Sequence, residues 1–526
     1  MRKVAASLGI SIAVLLGGCS TGTVPNTLST AVIPAARGAQ GIVHGGQQPV
    51  SGATVQLWAV GTTGYGSAAT SLTSTTTASD GSFSITGTYT CPASNPQVYI
   101  TATGGNPGLT AGTNNTAISL MAALLDCNSL QANAATTFIT INEVTTVAAA
   151  YALAQFMNPS TGSIGSYGYS NTGLQNAFST AINLANASTG TALATTPNGN
   201  GVVPQAELNT IANILAPCVN SNSNSSPQCS TLFGYLQGSP SNSLLAALSM
   251  ALHPGTNVAL LFGVAGGSPP FQPALSVAPN DWTVAMSFNN GATASAKGIA
   301  IDASGNAWSI TGSSRLSKLS SQGAPLNGSP FSTNLNGPGA LAIDTSGNVW
   351  VVNAGNGTLA GFANSGSSFA GPISGLNSPD AATFDRNGFL WIANYGNSSL
   401  TEFNPFTNSF ISPSAGYTNG ISSPAGIVAD YLGNVWVANA TSLTQLNPIG
   451  APSSGSPYVG GGISTPYGIA IDGPGNVCGC LTIRRAARWR NSTAAGRRSL
   501  VAGIPAAAPA PRLRLPSMAA KMFGSR

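Results

Sequence analysis

From residue 41 to about 105 apolar and polar positions alternate. Val55, Leu57 and Ala59, then Phe83 and Ile85, then Val98 and Ile100 follow a period of two, and Asp80-Gly81 supplies a turn between runs. The pattern predicts half-buried strands forming a small β-sandwich over residues 41–105. Between residues 117 and 255 the period lengthens to that of a helix. INEVTTVAAAYALAQFM sets Val144, Val147, Ala148, Tyr151 and Phe156 behind Asn142, a residue type that caps helix N-termini. Shorter helices are expected over residues 174–185, 205–215 (with Pro204 at the first turn) and 244–252. One apolar stripe on each implies a compact bundle.

Beyond residue 290 the chain repeats itself. The units GIAIDASGNAW, ALAIDTSGNVW, AATFDRNGFLW, GIVADYLGNVW and GIAIDGPGNVC place Asp302, Asp344, Asp385, Asp430 and Asp472 at separations of 42, 41, 45 and 42 residues. Trp308, Trp350, Trp391 and Trp436 each stand six residues after an aspartate, and Pro338, Pro379, Pro424 and Pro466 six before one. Asn353, Asn394 and Asn439 follow three of the tryptophans at three residues. An alternating strand ends at the aspartate, whose carboxylate accepts from nearby backbone N–H groups and closes a turn; a second strand then opens with the aromatic. Two further strands, the first of them TLAGF or SLTEF in the middle units, fit the remaining residues. Four strands in about 40 residues is the arithmetic of a β-propeller blade. The expected fold class is thus multidomain and mainly β: a small β-sandwich, an α-helical middle segment over residues 117–255, and an incomplete β-propeller of about five 42-residue repeats over residues 290–480.

Two stretches carry family resemblances. Pro49-Val50-Ser51-Gly52-Ala53 followed by Asp80-Gly81-Ser82-Phe83 resembles the carboxypeptidase regulatory-like family of prealbumin-type sandwiches, which implies a spacer or binding unit without catalysis. The repeats resemble NHL-type propeller units and the streptogramin lyase-like group.

The leader changes the setting. Arg2 and Lys3 precede an apolar run over residues 4–16, the layout of a signal peptide and too short to span a bilayer. Leu16-Gly17-Gly18-Cys19 resembles the lipobox of bacterial lipoproteins, which implies acylation of Cys19 and a membrane partner reached through that lipid. By the same resemblance Ser20, in place of Asp, favours the outer membrane. Residues 1–19 are then the leader, and residues 20–40, rich in Thr, Ala and Pro, a tether. Only 6% of residues are charged, a polar but weakly ionic surface that suits an envelope protein and excludes a nucleic-acid binder.

The net charge of +5 averages two unlike regions. Residues 20–480 hold five basic and twelve acidic groups, a net of −7, whereas residues 481–526 hold ten of the seventeen Lys and Arg and no acid. The repeat fails where the fifth unit should place its tryptophan and Cys478-Gly479-Cys480 stands instead. Removing one nucleotide from the Cys478 codon lets the tripeptide read Trp-Val-Ala, as at Trp436-Val437-Ala438. The expectation is that residues 481–526 are a frameshifted tail and the propeller is truncated.

Four cysteines remain: Cys91, Cys127, Cys218 and Cys229. An even number in an exported chain favours disulfides, with three pairings open to sequence alone. Cys218 and Cys229 flank the polar loop VNSNSNSSPQ, so a local bridge is expected there, leaving Cys91 to Cys127.

Catalytic chemistry finds little material. His44 (expected in a surface turn) and His253 (expected at a helix end) are the only histidines, and neither HExxH nor a phosphate-binding GxxxxGK[ST] occurs. Glu143 and Glu207, near helix starts, are expected to serve as dipole partners. The five repeat aspartates are expected to be structural, one per recurring turn, and not a metal ring. No catalytic residue, metal or cofactor is expected. General acid–base work usually needs His or a tuned carboxylate, and residues 290–480 contain no His and one glutamate, Glu402. The lyase-like group uses a histidine that these repeats lack. The expected function is a lipid-anchored envelope protein that binds or scaffolds through its propeller, its partner an unknown protein or glycan; the alternative is a propeller enzyme of the streptogramin lyase-like or lactonase type.

Overall fold

A computed structural model describes residues 39–478, apart from residues 86–88, 135, 169–170, 268, 289–295, 313, 327, 460–462, 464–465 and 472–476. Cys19, Asp472 and the tail over residues 481–526 therefore lie outside the described residues. The chain is mainly β, with seven α-helices and many small sheets among the described residues.

Two sheets share the first core. Gln40–Gly45 pairs antiparallel with Gln48–Pro49 and Ser82–Ser84, and parallel with Phe138–Ile141. Thr54–Ala59 lies between Thr70–Thr76 and Gln97–Thr103, with Ser119–Asp126 added at the outer edge. Val43, Phe83, Ile139 and Ile141 of one sheet and Val55, Leu57, Val98, Ile100 and Leu120 of the other form one buried cluster. This corrects the boundaries expected from periodicity: the sandwich does not end at residue 105, and the helical segment does not begin at residue 117. Ser119–Asp126 is buried at six consecutive positions, and a strand covered on both faces shows no alternation to distinguish it from a helix. His44 is likewise no turn residue; it sits half-buried in the first strand opposite Pro49.

The helical part is built around Glu143–Leu153, which packs against Thr172–Leu184, Gln205–Val219, Ser243–Leu252 and the strand Ser119–Asp126. Nine of its eleven residues are buried, so the expected single stripe is wrong for this helix, which is the hub of the bundle. Its start is as expected: Asn142 accepts the Thr145 N–H at 3.0 Å, and the Thr145 hydroxyl accepts the Asn142 N–H at 3.0 Å. His253 stands exposed at the end of Ser243–Leu252. Cys91 is bonded to Cys127 and Cys218 to Cys229, the pairing anticipated from the loop.

The repeats form successive antiparallel sheets in strand order. Ala296–Ile301, Ala307–Thr311 and Arg315–Leu319 make the first; Pro338–Ile343, Val349–Asn353, Thr358–Phe362 and Ser368–Ser374 the second. Pro379–Phe384, Leu390–Asn394, Ser399–Asn404 and Ser409–Phe410 make the third; Gly426–Ala429, Val435–Ala438 and Leu443–Leu446 the fourth. Ala470–Ile471 and Val477–Cys478 begin a fifth. The first strands of the first four sheets stand side by side, and apolar clusters fill the gaps between consecutive sheets.

Candidate functional site

The repeat aspartates and tryptophans come together in pairs. In each of the four described units one carboxylate oxygen accepts two backbone N–H groups of its own turn, as Asp302 does from Ser304 at 3.0 Å and Asn306 at 2.9 Å. The other oxygen accepts the indole N–H six residues on: Trp308 at 3.2 Å, Trp350 at 3.1 Å, Trp391 at 3.1 Å and Trp436 at 3.2 Å. The turn contacts match the sequence reading; the indole bond was not anticipated, although an aspartate recurring six before a tryptophan is its sequence trace. Burial pushes the Asp302 carboxyl up, but hydrogen bonds from Asn306 and Trp308 and the Lys318 ammonium outweigh it and hold it below the usual range.

Directly across from each tryptophan, on the third strand, the residue changes from unit to unit: Lys318, Gly361, Glu402 and Gln445. A second aromatic covers each tryptophan, and its identity follows that residue. Tyr417 and Tyr458 donate their hydroxyls to Glu402 at 3.0 Å and Gln445 at 3.2 Å. Phe331 and Phe369 accompany Lys318 and Gly361, which offer no acceptor. Lys318 donates to the carbonyl and side-chain oxygens of Asn364 in the next unit at 2.7 and 2.6 Å and lies 3.5 Å from Asp302. Desolvation raises the Glu402 carboxyl, Tyr417 lowers it, and the neighbouring Asp385 raises it further. Apart from Phe369, which is exposed, these residues are buried or half-buried and serve the packing of the sheets.

The exposed variation lies at the opposite end of the same strands. Pairing of the first and second strands slips by one residue between Ala296 and Gly298, between Pro338 and Ala340, and between Pro379 and Ala381. The residues left out of the ladder are Lys297, Gly339 and Asp380. In the fourth unit Ala425 and Gly426 both face Ala438, and Tyr467 holds the same place relative to the fifth aspartate. A bulge recurring at one place in the first three sheets turns its residue out of the pairing pattern, a device found beside functional sites. Its occupant here is Lys, Gly, Asp, Ala or Tyr, while the residues around it hardly change.

Neighbouring bulges touch. A Cβ on Gly339 would stand 2.7 Å from the Pro379 carbonyl oxygen, and one on Gly426 3.2 Å from the Tyr467 carbonyl oxygen. Desolvation raises the Asp380 carboxyl, and the Lys297 ammonium two units away pulls it back. The turn between second and third strands reaches the same end: the Tyr395 N–H donates to the Ser378 carbonyl at 3.2 Å. The repeat asparagines hold this junction. Asn394 accepts the Asn377 N–H at 3.1 Å and donates to Ser399 and Thr401 at 3.2 and 2.7 Å; Asn353 and Asn439 do the same in their units. Tyr395 and Tyr467 are 52% and 60% exposed. Lys297, Asp380, Tyr395 and Tyr467 thus share one end of the sheets.

Among solved structures, a streptogramin B lyase is similar at 15% identity over 38% of this chain and 66% of its own, with a TM-score of 0.32. A gluconolactonase from Xanthomonas campestris is similar at 16% identity over 37% and 71%, with a TM-score of 0.29. A nidogen/laminin complex gives 14% identity over 35% and 71%, also at 0.29. The chain spans slightly less than two thirds of the lyase, and likeness at this level carries no argument about activity. No protein-family model matches the chain, and no curated protein matches its sequence.

No group of three or more His, Cys, Asp and Glu that could hold a metal occurs among the described residues. No described helix is long and apolar enough to cross a membrane. Glu143 and Glu207 stand in the first turns of their helices, and each has surroundings that its place in the sequence did not announce. Glu143 is fully buried and accepts the Gly46 N–H through both carboxylate oxygens at 2.8 and 3.0 Å. Burial pushes its carboxyl up to about 7, against the opposing pull of that N–H. Glu207 is half-buried and also raised to about 7, first by desolvation and then by the charge of Asp281.

Proposed function

We propose that the repeat sheets are blades of a β-propeller and that this chain is an exported, lipid-anchored binding protein whose ligand meets the bulged ends of the first strands. The observation that carries the reading is the contrast within the repeat. Turn aspartates, tryptophans and asparagines recur because each blade needs them, whereas the bulge residue differs in every unit and is exposed where it is Lys297, Asp380 or Tyr467. Asp380 is the one carboxylate at the bulge positions, and the Lys297 ammonium two units away opposes its charge; neither histidine of the chain is in the repeats. That chemistry suits recognition better than proton transfer. The two disulfides fit an oxidising compartment, and lipid on Cys19 with the tether over residues 20–40 would hold the fold at the outer membrane.

Two measurements test this. Wild type and Cys19→Ala are fractionated from expressing cells: the wild type is expected in the membrane fraction with acyl groups on Cys19 by mass spectrometry, the variant in the soluble one. Purified protein is incubated with lactones and cyclic depsipeptides, and no turnover is expected. Specific turnover lost in Asp380→Asn would establish the enzyme reading instead.

A further inference from the structure

Resting on that reading of the bulged end as the binding face, we infer that its ligand is a neutral oligosaccharide. The first support is charge. Lys297 and Asp380 are the only ionisable side chains at the bulge positions apart from the phenol of Tyr467, and their opposite charges offset each other. A strongly anionic ligand meets Asp380 and a strongly cationic one meets Lys297, so neither gains from the field as a whole. A zwitterion would have to displace an existing exposed attraction by a similar one, and such pairs contribute only about 0–1 kcal/mol in water. An uncharged polyol keeps that attraction intact: its hydroxyls donate to the outer lone pairs of Asp380 and accept from Lys297.

The second support is shape and surface. Tyr395 and Tyr467 present rings that are 52% and 60% exposed, each combining a flat apolar face with a hydroxyl. A sugar ring has the complementary form, with C–H groups on its face and hydroxyls around its rim. Between the charged bulges the chain places Gly339, where the neighbouring Pro379 carbonyl leaves no room for a side chain. On the far side of Asp380 it places Ala425. Small residues there leave the floor of the face open for an extended chain of rings, while the backbone at Tyr395 and Gly396 is bonded to that of the uncharged residues Ser378 and Asn377.

The test uses the purified full-length chain in titration calorimetry with tri- to hexasaccharides of glucose, mannose and N-acetylglucosamine. Uronic acid oligosaccharides and free amino acids serve as charged and zwitterionic comparators. At least one neutral series is expected to bind, with affinity falling roughly tenfold or more in Asp380→Asn and in Tyr395→Ala, as when one polar or stacking contact is lost. Phe406→Ala is expected to leave affinity unchanged, because Phe406 packs beside the Gly388 turn at the other end of its sheet. Uronic acid oligosaccharides or amino acids binding with the same dependence on Asp380 and Tyr395 would overturn the ligand class and leave the bulged end as the binding face. Saccharide binding indifferent to Asp380 and Tyr395 would overturn both. Failure of every neutral series to bind would overturn the inference.

Discussion

At the scale of single residues, each described repeat aspartate gathers two backbone donors of its turn and the indole of its tryptophan, and Asp302, Asp344 and Asp430 accept the side-chain amide of the turn asparagine as well. Asp344→Ala strands the N–H groups of Ser346, Asn348 and Trp350. Leaving partly buried donors without an acceptor is expected to cost about 2 to 3 kcal/mol, measurable as a lowered urea midpoint. Glu402 offers the opposite case. Its carboxyl is raised by burial, so the folded chain holds the proton more tightly than the unfolded chain does. The resulting stabilisation is complete below about pH 4.5 and is lost as pH rises past that value toward the folded pKa. Glu402→Gln keeps an acceptor for Tyr417 and removes the charge beside Asp385. The variant is expected to have a higher urea midpoint than the wild type at pH 7.5, and the two midpoints should converge at pH 4. A variant less stable at both values would mean that the charge is needed.

At the scale of elements, Glu143 ties the hairpin turn at Gly46 to the start of the central helix. Gly46 in turn lies against Asn220 at the end of Gln205–Val219 and against Pro270. No Lys or Arg occurs between residues 38 and 296, so no permanently charged cation of that stretch can neutralise the carboxylate. Its pKa is raised from 4.5 to about 7, and the sign is that of Glu402. The contribution is present below pH 4.5, falls as pH climbs to about 7, and amounts to roughly 3 kcal/mol over that window. Wild-type stability is therefore expected to decline between pH 5 and pH 7.5, with the Gly46 amide losing protection from hydrogen exchange in step. Glu143→Gln should flatten both profiles. An unchanged slope in that variant would show that another group, with half-buried Glu207 first in line, sets the dependence.

At the scale of the whole molecule, the disulfides clamp the two N-terminal cores. Cys91–Cys127 closes a separation of 36 residues and Cys218–Cys229 one of 11. Loop-closure entropy alone assigns about 4 kcal/mol to the first and about 3 kcal/mol to the second. Reduction should lower the unfolding temperature of the N-terminal half while leaving the repeat sheets, which hold no disulfide among the described residues, at their original midpoint. Calorimetry with and without dithiothreitol checks this.

Sequence alone determined the repeat, its strand pairs, the turn role of Asp302, Asp344, Asp385 and Asp430, the Asn142 cap and the cysteine pairing. These depend on contacts within a few residues or on a period, and both leave marks along the chain. Tertiary structure alone decided three other matters. Ser119–Asp126 became a strand because neighbours cover both its faces, which erases the alternation that would have announced it. Glu143 proved to be a clamp because Gly46, 97 residues earlier, comes to rest on it. The bulge residues Lys297, Gly339 and Asp380 form one face because strands 41 or 42 residues apart stand side by side. Their variation was visible in the aligned units, but a residue's variation acquires a place only when the sheets do.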